Sequence, residues 1–236
     1  MAAGQRTYLQ LCNRVLQRLG KSQISDFTGQ TGDTWGGLVR DFINDAQAEV
    51  EKEHDWSTLY TSGTFSTSSR TYDLSTSFSN FGREVSLTDT TNNYVLEPTN
   101  ARELDVFDPD LTTAGTPRRY AIHYPNLLFD LTPTSVSYRL RYLKRATTLS
   151  TVSNTSDLPE YCDMVLVWWA VWQFQASRED AQDGGERARD IYEKSLARAI
   201  GQDRRRMDRV YRLGLLWPQI DVSRAPVNLG TNYEPL

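Results

Sequence analysis

Apolar positions recur at helical spacing at both ends of the chain and lose that period between them. Near the N-terminus Tyr8, Leu11, Cys12, Val15, Leu16 and Leu19 fall on one face, and Gly20 supplies a left-handed stop. Trp35, Leu38, Val39, Phe42, Ile43, Ala46 and Val50 repeat the pattern, with Arg40, Asp41, Asp45, Glu49, Glu51 and Lys52 on the polar side. These stripes predict helices near 6–20 and 33–55, the second capped by Asp33 and joined to the first by the Gly29–Thr34 stretch GQTGDT. Ser and Thr then make up about half of residues 57–91, which disfavours helix and favours strands and turns. Tyr60–Ser66 and Arg83–Thr88 alternate loosely, with a turn at Thr90–Asn93 before Tyr94–Leu96. Tyr120, Ile122 and Tyr124 alternate with Ala121 and His123, Pro125-Asn126 turns the chain into Leu127–Leu131, and Tyr138, Leu140 and Tyr142 alternate again. That sequence predicts a three-strand antiparallel meander.

Helix resumes near Asp157, with Glu160 three residues on as a capping box and Pro159 in the first turn, giving a helix near 157–182. From Cys162 to Phe174 it is apolar nearly all round, with Trp168, Trp169 and Trp172 inside, so it has to be buried on several sides. A last helix near 186–212 carries Ala188, Ile191, Tyr192, Ser195, Leu196, Ala199 and Ile200 on one stripe. Beyond it LLWPQIDVSRAPVNLGTNYEPL has no helical period and reads as an extended arm. The predicted fold class is α+β. Residues 1–56 and 151–212 form a four-helix bundle, 57–150 an inserted antiparallel β module, and 213–236 an extended C-terminal arm.

Composition narrows the function classes. The 236 residues are 39% hydrophobic and 24% charged, with a mean hydropathy of -0.56, an ordinary globular balance. Twenty-six basic against thirty acidic residues give a net charge of -4, which argues against a general nucleic-acid coat. Two cysteines exclude a disulfide scaffold. The run Met164–Phe174 is too short to cross a bilayer, and MAAGQRTYLQ lacks a signal-peptide core, so synthesis in the cytoplasm and no membrane partner are expected.

The search for chemistry returns little. Glu51 and His54 have Glu-x-x-His spacing, but a di-iron site needs a second such pair, and the other histidine, His123, falls on a strand. Asp108 and Asp110 flank Pro109 in a turn, Gly29-Gln30-Thr31-Gly32 lacks the Gly-Lys-Ser/Thr ending of a phosphate loop, and no Gly-x-Ser-x-Gly elbow occurs. Cys12 and Cys162 read as small core residues. No catalytic residue, metal site or cofactor is expected. One concentrated charge stands out, Arg204, Arg205, Arg206, Arg209 and Arg212, suited to an acidic partner surface or to phosphate. In the arm, Leu215, Leu216, Trp217 and Ile220 are too apolar for a solvated linker and read as docking anchors.

TYLQLCNRVLQRLG followed by DTWGGLVRDFINDAQAEVEKEHDWSTL, with Phe42-Ile43-Asn44-Asp45-Ala46 and the closing Asp55-Trp56, resembles the head-to-tail adaptor (head completion, tail tubular protein A-like) proteins of tailed bacteriophages. The C-terminal half is similar in layout, from Leu158-Pro159-Glu160 through a Trp-rich helix to a charged helix and a tail. The resemblance implies a structural virion protein without enzymatic activity, forming a homo-oligomeric ring, typically twelve copies. The ring would sit between the portal protein and the tail nozzle protein, with genomic DNA passing through the channel without being specifically bound. Two other classes stay open: a DNA-binding regulator using the Arg204–Arg212 helix, and a glycan- or host-binding tail component using the Ser/Thr-rich strands.

Overall fold

A computed structural model describes residues 4–29, 34–107, 113–177 and 182–213. Over the described residues it is an α+β fold with five α-helices and two four-stranded sheets. Helix α1 (Tyr8–Arg18) opens on a capping box, in which Thr7 accepts from the Gln10 N–H and the Gln10 side chain accepts from the Thr7 N–H. The chain leaves it through Gly20 at φ +66°, as its stop signal requires. Helix α2 (Trp35–Glu53) is capped by Thr34, whose hydroxyl accepts from the Gly37 N–H at 3.1 Å; the expected cap, Asp33, lies outside the described residues. Helix α4 (Asp163–Ala176) contacts α1, α2 and α5 (Gln182–Leu213), which is why it has no polar face. Leu11, Leu16, Ile43, Val50, Leu166, Val167 and Tyr192 belong to one hydrophobic cluster drawn from these four helices.

The expected capping box at Asp157 does not form. Pro159 sits at ψ 153°, outside the helical region, and a 3-10 turn, Glu160–Cys162, precedes α4. The Asp157 carboxylate instead accepts from Lys144 Nζ at 2.6 Å and the Thr147 N–H at 2.8 Å, the lysine cation adding an ion pair that a helix end does not offer.

Between α2 and α4 run β1 (Tyr60–Thr67), β2 (Thr71–Asp73), β3 (Phe81–Asp89), β4 (Tyr94–Val95), β5 (Glu97–Pro98), α3 (Ala101–Phe107), β6 (Arg119–His123), β7 (Asn126–Phe129) and β8 (Val136–Lys144). The sheets have the orders β1-β8-β3-β4 and β2-β7-β6-β5. The β6–β7 hairpin forms, but it turns at Tyr124-Pro125 and not at Pro125-Asn126, Asn126 already pairing with His123, and the three-strand meander does not exist, because β8 leaves for the other sheet and pairs with β1 and β3. Alternation identifies which face of β8 is inward (Val136, Tyr138, Leu140 and Tyr142 are buried) but is blind to the neighbouring strand. The two sheets share one aromatic core, in which Phe65 stacks on Tyr72 at 4.2 Å and Phe129 on Tyr138 at 4.8 Å. Helix α3, started by Asn100 accepting from the Glu103 N–H at 2.9 Å, had no apolar period to announce it. Asp108 and Asp110 lie outside the described residues.

Candidate interface surfaces

The most connected polar group among the described residues is one that no sequence motif names. Asp203 is fully buried on α5, where it continues the inward stripe of Tyr192 and Ala199. Its Oδ2 accepts from the Ser57 N–H at 3.0 Å and from His54 Nε2 at 3.2 Å, and its Oδ1 accepts from Ser57 Oγ at 2.6 Å and from the Tyr161 hydroxyl. A carboxylate has about four acceptor positions, and four donors fill them, so nothing is left to bind a metal or take a proton from a substrate. Burial first, and then the bond to Asp203, push the Tyr161 phenol above its usual range. The donors come from the end of α2, the turn into β1 and the turn before α4, so Asp203 ties α5 to the root of the β strands. Trp56 completes the junction: its indole donates to the Val50 carbonyl at 2.8 Å and its ring meets His54 edge-on at 5.0 Å. Glu51 and His54 therefore do not converge on one site; Glu51 accepts from the Ala146 N–H at 2.9 Å.

A second seam runs along α2. Asn44 accepts from the Leu149 N–H at 2.9 Å and donates to its carbonyl at 3.1 Å, while Gln47 donates to the Thr147 carbonyl at 2.9 Å. With Glu51 these residues lie at helical spacing on one face and hold the extended return from β8 to α4. At the other side of the helices, the Arg6 N–H donates to Asp163 Oδ2 at 2.9 Å. Burial outweighs that bond and pushes the Asp163 carboxyl up from 3.8 to about 6. Cys12 and Cys162 are buried free thiols, and burial pushes the Cys12 thiol up to about 12.

Outward, the picture is cations and indoles. Arg204, Arg205 and Arg206 are all exposed on the turn that follows the inward Asp203. Arg209 and Arg212 lie on α5, but their side chains are outside the described set, as are the arm residues Leu215, Leu216, Trp217 and Ile220. On the helical layer, Lys21 Nζ lies 4.4 Å from the Trp35 ring centre, and the Arg18 and Arg189 guanidinium carbons lie 4.8 Å and 5.6 Å from the rings of Trp168 and Trp172. Trp35 and Leu38 are each 37% exposed beside them. Partly covered tryptophans rimmed by arginine are the composition of protein-binding surfaces. His123 is exposed at the end of β6. No helix among the described residues is long and apolar enough to cross a membrane.

An α+β chain whose polar contacts go into internal joints, and whose exposed tryptophan and arginine side chains go into surface, has the build of an assembly component. The chain matches the family described as SU10 adaptor protein over residues 6–215, and it belongs to that family, a phage head-tail adaptor family. Membership supports a general adaptor role, contacts with other head or tail proteins and a place in the virion. No curated protein matches the chain.

Proposed function

We propose that this protein is a head-to-tail adaptor that forms a ring, of about twelve subunits in the family pattern that its sequence resembles, between a portal protein and a tail nozzle protein. Genomic DNA passes through the ring without being specifically bound, and the protein catalyses no reaction. Family membership across residues 6–215 carries the reading. Physical features support it: the Asp203 joint and the Asn44–Glu51 seam stiffen the chain, as a load-transmitting ring needs. The tryptophan–arginine face offers lateral contact area between the four long helices of neighbouring subunits, acting as the bundle. Heterologous contacts of this kind close into rings by rotation. An acidic chain of net charge -4 also avoids holding DNA in transit. In this reading Arg204, Arg205 and Arg206, with Arg209 and Arg212, meet an acidic partner surface, and Leu215, Leu216, Trp217 and Ile220 anchor the arm on the portal or on a neighbour.

The test is reconstitution with purified portal, followed by subunit counting by native mass spectrometry and electron microscopy. A portal-bound ring supports the reading. Failure to bind portal, together with absence from purified virions, overturns it, and steeply salt-dependent DNA binding by the isolated chain points to the regulator instead.

A further inference from the structure

Strand β1 is the only long, regular sheet edge among the described strands. It pairs with β8 on one side without a register shift over eight residues, Tyr60–Thr67. The other edges are blunted: β2 has three residues, β4 two, β5 two including Pro98, and β3 carries Arg83 and Glu84 with register shifts at Phe81/Arg83 and Glu84/Ser86. β1 has no charge, no proline and no bulge. The Lys144 N–H donates to the Leu59 carbonyl at 2.9 Å, which sets the alternation along the pair. Thr61, Gly63 and Phe65 bond to β8, so the N–H and C=O of Ser62, Thr64 and Ser66 point to the open edge. The Thr90 N–H donating to the Ser137 carbonyl at 2.9 Å confirms the parity, since it turns the odd-numbered residues of β8 toward β3. No described residue makes a backbone hydrogen bond to that edge.

The position of α5 says what covers it. α4 and α5 run antiparallel, with Trp172 stacked on Tyr192 at 5.8 Å and Tyr161 bonded to Asp203. Asp203 lies 2.6 Å from Ser57 Oγ, three residues before β1. α5 then continues to Leu213, about 15 Å further, so the C-terminal arm starts within about 15 Å of the root of a strand about 26 Å long. The first stretch of the arm with strand alternation is Gln219–Ser223, within the segment that Pro218 and Pro226 close off. Its apolar positions, Ile220 and Val222, match the inward side of β1, where Phe65 is buried and Gly63 lies against Phe78; Asp221 and Ser223 match the exposed Ser62, Thr64 and Ser66.

We propose that Gln219–Ala225 adds as an extra strand to the β1 edge of its own chain. This goes beyond the adaptor reading: it states where the arm rests in the free subunit, and therefore what a partner has to displace to recruit it. A tethered strand has a high effective concentration at its edge, and backbone pairing tolerates its modest apolar content.

Residue-resolved amide exchange on the free, full-length protein tests the proposal without any portal, so its failure is distinct from failure of the adaptor role. The amides of Ser62, Thr64 and Ser66 are expected to be protected at least about tenfold over unstructured rates, as those of Thr61, Gly63 and Phe65 are. Adjacent residues of a strand point their N–H groups to opposite sides, so either Asp221→Pro or Val222→Pro removes a ladder donor, and one of the two is expected to release Ser62, Thr64 and Ser66 while leaving Thr61, Gly63 and Phe65 protected. Fast exchange at Ser62, Thr64 and Ser66 in the wild-type chain overturns the proposal. So does protection that survives both proline substitutions, or protection that grows with protein concentration, which would assign the edge to a second copy.

Discussion

Replacing Asp203 with alanine removes the acceptor for four donors at once and isolates the contribution of the junction between α5 and the β strands. Hydrogen bonds to a charged group contribute about 1.5–3 kcal/mol each, but a sum over four overshoots, because the released donors differ in access to water. The His54 side chain is 17% exposed and can be rehydrated, and the Ser57 hydroxyl can rotate. The Ser57 N–H and the Tyr161 hydroxyl have less freedom, and each stranded buried donor costs about 1–3 kcal/mol. The expected loss is therefore about 3–5 kcal/mol, or a fall in Tm on the order of 10 °C for a chain of this size. Asp203→Asn keeps the shape but turns one of its two acceptor atoms into a donor facing donors, so most of the loss remains. Arg204→Ala, one residue along but exposed, stays within about 0.5 kcal/mol. Urea unfolding followed by tryptophan fluorescence measures all three, and a Tyr161→Phe cycle with Asp203→Ala reads the pairwise coupling. A loss below about 1 kcal/mol for Asp203→Ala would refute the assignment of this carboxylate as the structural joint.

Asp163 predicts a pH dependence of opposite sign to an ordinary paired carboxylate. Its folded value of about 6 against 3.8 means the folded state holds the proton more tightly, so its contribution is fully present below about pH 4 and about 3 kcal/mol is lost as pH rises through 6. Asp163→Asn should accordingly gain stability relative to wild type between about pH 4 and about pH 7 in parallel urea titrations. Asp157 behaves the other way: burial alone would raise it, but Lys144 and Thr147 hold it below its ordinary value, so its contribution is present at neutral pH and lost on acidification, and Asp157→Asn loses most at neutral pH. Gly63→Ala places a Cβ 2.4 Å from Phe78 Cε1 and should cost about 1–3 kcal/mol by the same unfolding assay. Charge reversal at Arg204, Arg205 and Arg206 together should leave Tm nearly unchanged while abolishing portal binding in a pull-down; retained binding removes the basic cluster from the interface.

What could be read from the sequence was whatever depends on one element at a time. The stripe Tyr8–Leu11–Cys12–Val15–Leu16 is buried throughout, the stop at Gly20 has its positive φ, and α4 is enclosed by three helices as its lack of a polar face demanded. What depends on pairing between distant elements was not legible. β8 has the alternation of a hairpin's third strand and instead lies between β1 and β3, because a period of two specifies a face and not a neighbour. Asp157 has the spacing of a cap and serves Lys144, since the competing cation arrives from another strand. Asp203 lies between these cases. It occupies an apolar stripe, so the period alone marks a carboxylate at a core position, and a buried carboxylate has to find donors. Its three partner residues come from 42 to 149 positions away in the chain, and no local pattern names them. The same division separates the arginines that follow: the helical period turns Arg204–Arg206 outward, whereas the acidic surface proposed for them belongs to another chain and leaves no mark on this one.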